Sequence, residues 1–298
     1  MQRLIAIDWG TSNFRATLFN EDFAKIDFIE ADKGVLSFQG KGFYPFIQNT
    51  LSPWLSNKYQ ITILMSGMIG SSIGWMETPY VSCEASLEDI ANNLLQILNI
   101  QEDIYIMSGV KKENHTLVDV MRGEEVQVFG ALEQLGDTNG LFVLPGTHSK
   151  WVQIKNKKII DFQTNMTGEI FHAVSHHTIL QKSIHKTKIN QDAFLKGLEL
   201  STLDTGLLSQ LFQVRSQTQV IGEDNTHSFL SAILIGNEIK QMKQVFSGKS
   251  IVLVGNSSLN DLYTKACNFY DLAVVSVDGH QAFCLAMISI YKTKLNIY

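Results

Sequence analysis

Two short segments of this chain carry the same chemistry. Ile5-Ala6-Ile7-Asp8-Trp9-Gly10-Thr11-Ser12-Asn13 and Phe142-Val143-Leu144-Pro145-Gly146-Thr147-His148-Ser149 both run from an apolar strand into Gly-Thr followed by small polar residues. Each then leaves on an alternating strand, Phe14 to Phe19 in the first copy and Lys150 to Ile154 in the second. The pattern predicts a β-hairpin with a phosphate-sized turn. Gly10 and Gly146 let the backbone approach a ligand closely, and the amides and hydroxyls of Thr11, Ser12 and Asn13, or of Thr147, His148 and Ser149, can donate into one concavity. Two such turns, one per half, predict a cleft that grips a triphosphate from both sides. Asp8 ends the first strand, where a carboxylate can hold a hydrated Mg²⁺ against β- and γ-phosphates. A turn-capping aspartate would use the same letter. The second Gly-Thr copy favours the phosphate reading.

A second constellation is Arg122-Gly123-Glu124-Glu125, a glycine break with paired carboxylates ahead of the helical run ending in Gly130. Transfer of a phosphoryl group to a sugar hydroxyl benefits from a carboxylate that orients the nucleophile and takes its proton. Glu124 is the first choice for that base, and Glu125, about 100° further round a helix, the second. An acidic first turn also complements the helix dipole without any ligand. Ser66-Gly67-Met68-Ile69-Gly70-Ser71-Ser72-Ile73-Gly74-Trp75 offers hydroxyls and close backbone approach to a polyol, with an indole for its apolar face. Ser66, Gly67, Met68, Gly70, Ser71 and Trp75, together with Gly34, form the candidate acceptor-binding set. Gly255-Asn256-Ser257 follows a wholly apolar strand and opens a helix, where free amides could meet a nucleotide. An Asn or Ser N-cap accounts for the same letters and is the simpler reading from physics alone.

Two further patterns carry less. Gly34 through Gly40-Lys41 resembles a phosphate-binding Walker loop, but five residues separate its glycines and Gly42 stands where a hydroxyl should meet the metal. No GxGxxG follows a predicted strand, which disfavours a dinucleotide fold. His172, His176 and His177 have a spacing that could hold a metal on one helical face, yet no cysteine or HExxH pattern joins them. They read as surface histidines.

These groups must be positioned by a mixed α/β chain. After the first hairpin, strands are expected at 25–30, 61–65 and 104–107, and helices at 43–55 and 87–98. A second hairpin spans 140–162, mostly helical sequence fills 168–245, and the chain closes with a strand at 250–254, a helix, a strand at 272–277 and a final helix after Asp278-Gly279. With 298 residues and 45% hydrophobic content the chain can build two cores. A net charge of −5 argues against nucleic acid or an anionic membrane surface as the main partner. No segment reads as a signal peptide or membrane span, which points to a cytoplasmic protein. Cys83, Cys267 and Cys284 are widely spaced and form no CxxC pair, so a disulfide framework or thiolate zinc site is not expected.

The ordered motifs DWGTSNFRA, SGMIGSSIGW with METPYV, VMRGEE, LPGTHSKWV, MTGEIF and VGNSSL resemble the 2-dehydro-3-deoxygalactonokinase family, within the actin/Hsp70/sugar-kinase superfamily. The resemblance implies two ribonuclease-H-like α/β domains, 1–118 and 119–298, flanking an ATP cleft. It places Gly10 to Asn13 and Gly146 to Ser149 on the phosphates and Gly255, Asn256 and Ser257 on the adenosine. The implied reaction is ATP- and Mg²⁺-dependent phosphorylation of the 6-hydroxyl of 2-dehydro-3-deoxy-D-galactonate, with Asp8 as metal ligand and Glu124 or Glu125 as base. Arg122 or the 70–72 segment would supply a donor to the acid's carboxylate. A kinase for another sugar or sugar acid and an actin-like ATP-binding switch are the alternatives, and a homo-oligomer is left open.

Overall fold

The computed structural model describes residues 2–55, 59–113, 117–184, 188–217, 220, 222, 225–248 and 250–295. The chain forms two compact units. The first comprises Met1–Asn139, Ile154–Phe162 and Gly279–Tyr298, and the second Gly140–Gln153 and Gln163–Asp278.

In the first unit, β1 (Gln2–Trp9), β2 (Phe14–Phe19) and β3 (Lys25–Ala31) form an antiparallel meander. On its other edge β1 runs parallel to β4 (Gln60–Ser66), with Asp8 opposite Ser66. The alternating strands bury Ile5, Ile7, Trp9, Phe14 and Ile63 against α1 (Phe43–Thr50), where Trp9 meets Phe14, Phe38 and Phe43 edge to face at 4.9–5.5 Å. A compact aromatic core therefore stands directly behind the end of β1. A three-stranded sheet of β5 (Tyr80–Ser82), β9 (Gly109–Glu113) and β10 (Val118–Met121) leads into α3 (Glu124–Leu135), and α9 (Gly279–Leu295) completes the unit.

Three local expectations differ from what forms. The helix expected over 87–98 stops early as α2 (Leu87–Asn92). The Asn93 side chain takes the Asp89 carbonyl at 2.8 Å, and the chain then turns into a short strand, β7 (Leu95–Gln96), antiparallel to β8 (Asp103–Ile106). Helix α1 likewise ends at Thr50, short of Pro53, whose ring disfavours helical geometry at the residue before it. Strands β6 (Ala85–Ser86), β9 and β10 are too short or too charged to announce themselves by alternation.

The second unit contains β11 (Gly140–Leu144) beside the 149–153 part of β12 (Ser149–Lys155). On its other side β11 runs parallel to β14 (Ser250–Gly255), which runs parallel to β15 (Ala273–Asp278). The hairpin return β13 (Lys158–Asn165) is divided by chain between the units, and its Lys158–Ile159 end pairs with β6 in the first. Helices α4 (Thr167–His177), α5 (Gln191–Thr202), α6 (Leu207–Ser216) and α7 (Thr226–Val245) supply the helical stretch read from the sequence, and α8 (Ser257–Phe269) is the helix expected after the strand at 250–254. Among the described residues no helix is long and apolar enough to cross a membrane, and all three cysteines are free thiols.

Candidate active site

Three backbone ends converge in the first unit. Asp8 closes β1, Ser66-Gly67 closes β4, and Arg122-Gly123-Glu124 opens α3. Gly67 sits at φ 98, and a Cβ there would come within 2.8 Å of the Trp9 carbonyl and 3.5 Å of Asp8 Oδ1. Gly123, at φ 111, would put its own Cβ 3.2 Å from the Gly67 Cα. Side-chain-free backbone at both positions is what lets the carboxylates of β1 and α3 approach each other.

Asp8 is half-buried, and desolvation pushes its carboxyl pKa up to about 6, with Arg15 opposing the shift and the charge of Glu124 adding to it. Glu124 is half-buried and accepts the Arg122 amide at 3.0 Å. Glu125 is wholly buried and folds back on the Gly123 amide, with its oxygens 2.8 and 2.9 Å away. Burial, reinforced by the charge of Glu124, drives the Glu125 pKa up to about 8, against the Gly123 hydrogen bond and Arg122. The two neighbours therefore differ: Glu125 fixes the bend, while the half-buried Glu124 adds its charge at Asp8.

Arg122 is enclosed. Its Nη1 donates to the Thr78 hydroxyl, its Nη2 to the Thr78 carbonyl at 2.9 Å, and the guanidinium lies 4.3 Å over the Tyr80 ring. Thr78 in turn gives its amide to the Gly70 carbonyl at 2.9 Å and its hydroxyl to the Met107 carbonyl at 2.9 Å. The guanidinium thus braces the 122–124 bend against the 67–75 loop and presents no outward fork to a substrate carboxylate, a different use from the one the sequence suggested.

The first Gly-Thr turn is closed by Gly10 N–H to the Asn13 carbonyl at 2.9 Å, leaving Thr11, Ser12 and Asn13 exposed. Gly34 lies under this turn: its amide donates to Ser12 at 2.9 Å, and a Cβ would stand 2.1 Å from the Thr11 carbonyl. Gly34 is thus a support of the Gly10–Asn13 turn. In that loop Met68–Gly70 winds into a 3₁₀ turn, and the Ser71 hydroxyl returns to the Met68 carbonyl at 2.7 Å. Trp75 packs on Phe43 and Tyr44, so one indole face belongs to the core. The Ser66 hydroxyl is buried and lacks a hydrogen-bond partner.

The half-buried Asp8 carboxylate, paired across β1 and β4 with Ser66 and its unsatisfied hydroxyl, suits a hydrated Mg²⁺, which takes one or two protein carboxylates and completes its shell with water and phosphate oxygens. Among the described residues no group of three or more metal-type side chains exists. The donor set therefore fits a metal held jointly with a phosphate ligand and not a protein cage. His172, His176 and His177 are exposed at the end of α4, where His172 and His176 stack at 4.3 Å.

The second unit carries its own turn. Gly146 has open space where a Cβ would be, and Thr147 and His148 are exposed. The Thr147 carbonyl accepts the Glu169 amide at 2.9 Å, while His148 contacts the Glu169 carboxylate at 2.5 Å. Ser149 faces inward and donates to Glu238 at 2.8 Å. Behind the turn lies a mostly apolar cavity of about 410 Å³, lined in part by Gly146, Thr147, Thr167, Phe171, Leu259 and Leu262. Asn256 caps α8 by accepting the Leu259 amide at 3.0 Å, as the capping reading expects, and leaves Ser257 exposed. Glu238 is the residue the sequence analysis passed over. A carboxylate within the largely apolar Phe229–Ile239 stretch, beside Asn237, was the available signal.

The family model described as 2-keto-3-deoxy-galactonokinase matches residues 8–290, from Asp8 into the last helix. The chain belongs to that family. It is 34% identical over 298 residues to the 2-dehydro-3-deoxygalactonokinase of Escherichia coli, covering 99% of each chain. A crystal structure of a candidate 2-dehydro-3-deoxygalactonokinase from Sinorhizobium meliloti superposes with a TM-score of 0.90 at 31% identity, covering 97% of this chain and 98% of that one. The ADPNP-bound activator of the 2-hydroxyisocaproyl-CoA dehydratase from Clostridium difficile shares the fold at a TM-score of 0.52 and 10% identity, covering 99% of this chain and 96% of that one. The architecture is the two-domain α/β fold of the actin/Hsp70/sugar-kinase type, as the motif order implies.

Proposed function

We propose that this chain is a sugar-acid kinase that moves the γ-phosphoryl group of ATP to the 6-hydroxyl of 2-dehydro-3-deoxy-D-galactonate in the cytoplasm. The observation that carries the reading is the juxtaposition of Asp8 and Glu124 where β1, β4 and α3 meet, in a chain of this family. Glu124 orients the acceptor hydroxyl and takes its proton as the phosphoryl group arrives. Asp8 is the residue whose carboxylate would hold Mg²⁺, which when bound would supply positive charge to the phosphate oxygens.

The remaining residues bind and orient. Thr11, Ser12 and Asn13 of the first Gly-Thr turn donate to phosphate oxygens, and Gly146, Thr147 and His148 of the second have the same donor chemistry. The apolar cavity behind Gly146 takes the adenosine. The Ser66 to Trp75 loop receives the polyol, with Ser66 giving its unsatisfied hydroxyl to the acceptor or its hydration shell. Because Arg122 is bound to Thr78, recognition of the acid group falls to the 70–72 segment, where Ser72 is exposed.

An ATP-coupled assay across sugar acids, including both C4 epimers of the 2-dehydro-3-deoxy acid, tests this reading. The galacto epimer is expected to turn over, and neutral aldoses to react poorly because they leave the acid-binding donors unsatisfied. Comparable kcat/KM for glucose and the acid overturns the sugar-acid assignment. Steady ATP hydrolysis with no phosphorylated acceptor would instead favour a nucleotide switch.

A further inference from the structure

Glu238, on α7, is 4% exposed and stands among four donors from three elements. Its Oε1 accepts the Ser149 hydroxyl at 2.8 Å and the Trp151 indole N–H at 2.7 Å, both from β12. Its Oε2 accepts the Tyr263 hydroxyl at 2.7 Å, from α8, and the Thr167 hydroxyl, from the start of α4. A carboxylate in this position costs desolvation energy, and burial raises its pKa even against those four hydrogen bonds. An apolar side chain would fill the same volume more cheaply. What the carboxylate adds is direction: it joins the strand leaving the Gly146-Thr147 turn to two residues, Thr167 and Tyr263, that line the neighbouring cavity.

We infer that Glu238 is a positioning residue for nucleotide binding, clamping the phosphate turn through Ser149 and Trp151 and the cavity wall through Thr167 and Tyr263 so that the two are held in one fixed relation. This rests on the kinase reading, because the ligand it serves is ATP. Glu238 touches no ligand itself and acts through Ser149, whose neighbours Thr147 and His148 remain exposed for phosphate contact. Replacement by glutamine keeps the volume but turns an amide N–H₂ toward one pair of donors, so one side of the clamp is released.

The test is binding of ATP with Mg²⁺ to the full-length protein by calorimetry, with steady-state kinetics alongside. Glu238→Gln is expected to raise the Kd for ATP by about tenfold or more, as the loss of buried charge-assisted bonds implies, while the KM for the sugar acid stays within about twofold. A purely structural residue would lower the melting temperature or the active fraction and leave the Kd of the folded molecules unchanged. If Glu238→Gln does not fold, Ser149→Ala and Tyr263→Phe each remove one hydroxyl from the same clamp and are each expected to weaken ATP severalfold. In the Glu238→Gln background, Ser149→Ala should add little, since its bond is already compromised. Folded variants with wild-type ATP affinity overturn this inference alone. A wild-type chain that binds no ATP removes the kinase reading and this inference with it.

Discussion

Glu125 folds its carboxylate onto the amide of Gly123 at 2.8 and 2.9 Å, and this bond pins the start of α3, where the half-buried Glu124 adds its charge at Asp8. Adjacent glutamates thereby acquire separate tasks, and the separation is measurable. Glu124→Gln should lower kcat by about 10² or more, the usual contribution of a general base, with ATP affinity nearly intact. Glu125→Gln should act on stability and on the geometry of the bend, with a smaller loss of turnover. Wild-type kcat in Glu124→Gln together with inactive Glu125→Gln would reverse the assignment.

The same burial makes stability depend on pH. Glu125 has its pKa raised from 4.5 to about 8 in the folded chain, so the native state binds more protons than the unfolded one between those values. Its stabilising contribution is complete below about pH 4.5 and disappears as pH rises through about 8. Removing that titration with Glu125→Gln should flatten the decline in unfolding free energy between pH 5 and 8, apart from what other groups contribute. Urea denaturation of both proteins at several pH values across this window checks it, and parallel curves would rule Glu125 out as the cause.

Much of this site was legible in the chain because its signals are local. Gly-Thr turns, apolar strands and a glycine before paired carboxylates announce themselves within a dozen residues, and Asn256 was readable as a helix cap for the same reason. What was not legible depended on distant partners. Arg122 resembled a substrate ligand until Thr78 and Tyr80, brought up by the β5–β9–β10 sheet, took its guanidinium. Gly34 resembled part of a binding loop, yet its close approach to Thr11 makes it a brace. Glu238 drew no attention because its four donors come from residues 149, 151, 167 and 263, which no periodicity connects.

The Thr78–Arg122 contact offers a third test. Thr78→Val keeps the shape but removes the hydroxyl between the 67–75 loop and the 122–124 bend, so the base loses a support remote from the nucleotide turns. The expected result is a severalfold fall in kcat and a raised KM for the sugar acid, with the KM for ATP unchanged. A selective rise in the KM for ATP would show that the brace serves the nucleotide instead.

The paired turns give the last test. Thr11 and Thr147 are both exposed at equivalent steps of their hairpins, each one residue after the turn glycine. Replacing either by valine removes a hydroxyl donor and nearly preserves volume, so each loss should be of the order of one hydrogen bond to a charged group, about 1.5–3 kcal/mol or roughly ten- to a hundredfold in kcat/KM for ATP. If the two turns act on one triphosphate in the same way, the losses should be comparable, and the KM for the acceptor should move little in either variant. A large loss at Thr11 with none at Thr147 would mean that the second turn does not grip phosphate, and a crystal structure with an ATP analogue remote from Gly146 and Thr147 would end the two-turn reading whatever the kinetics showed.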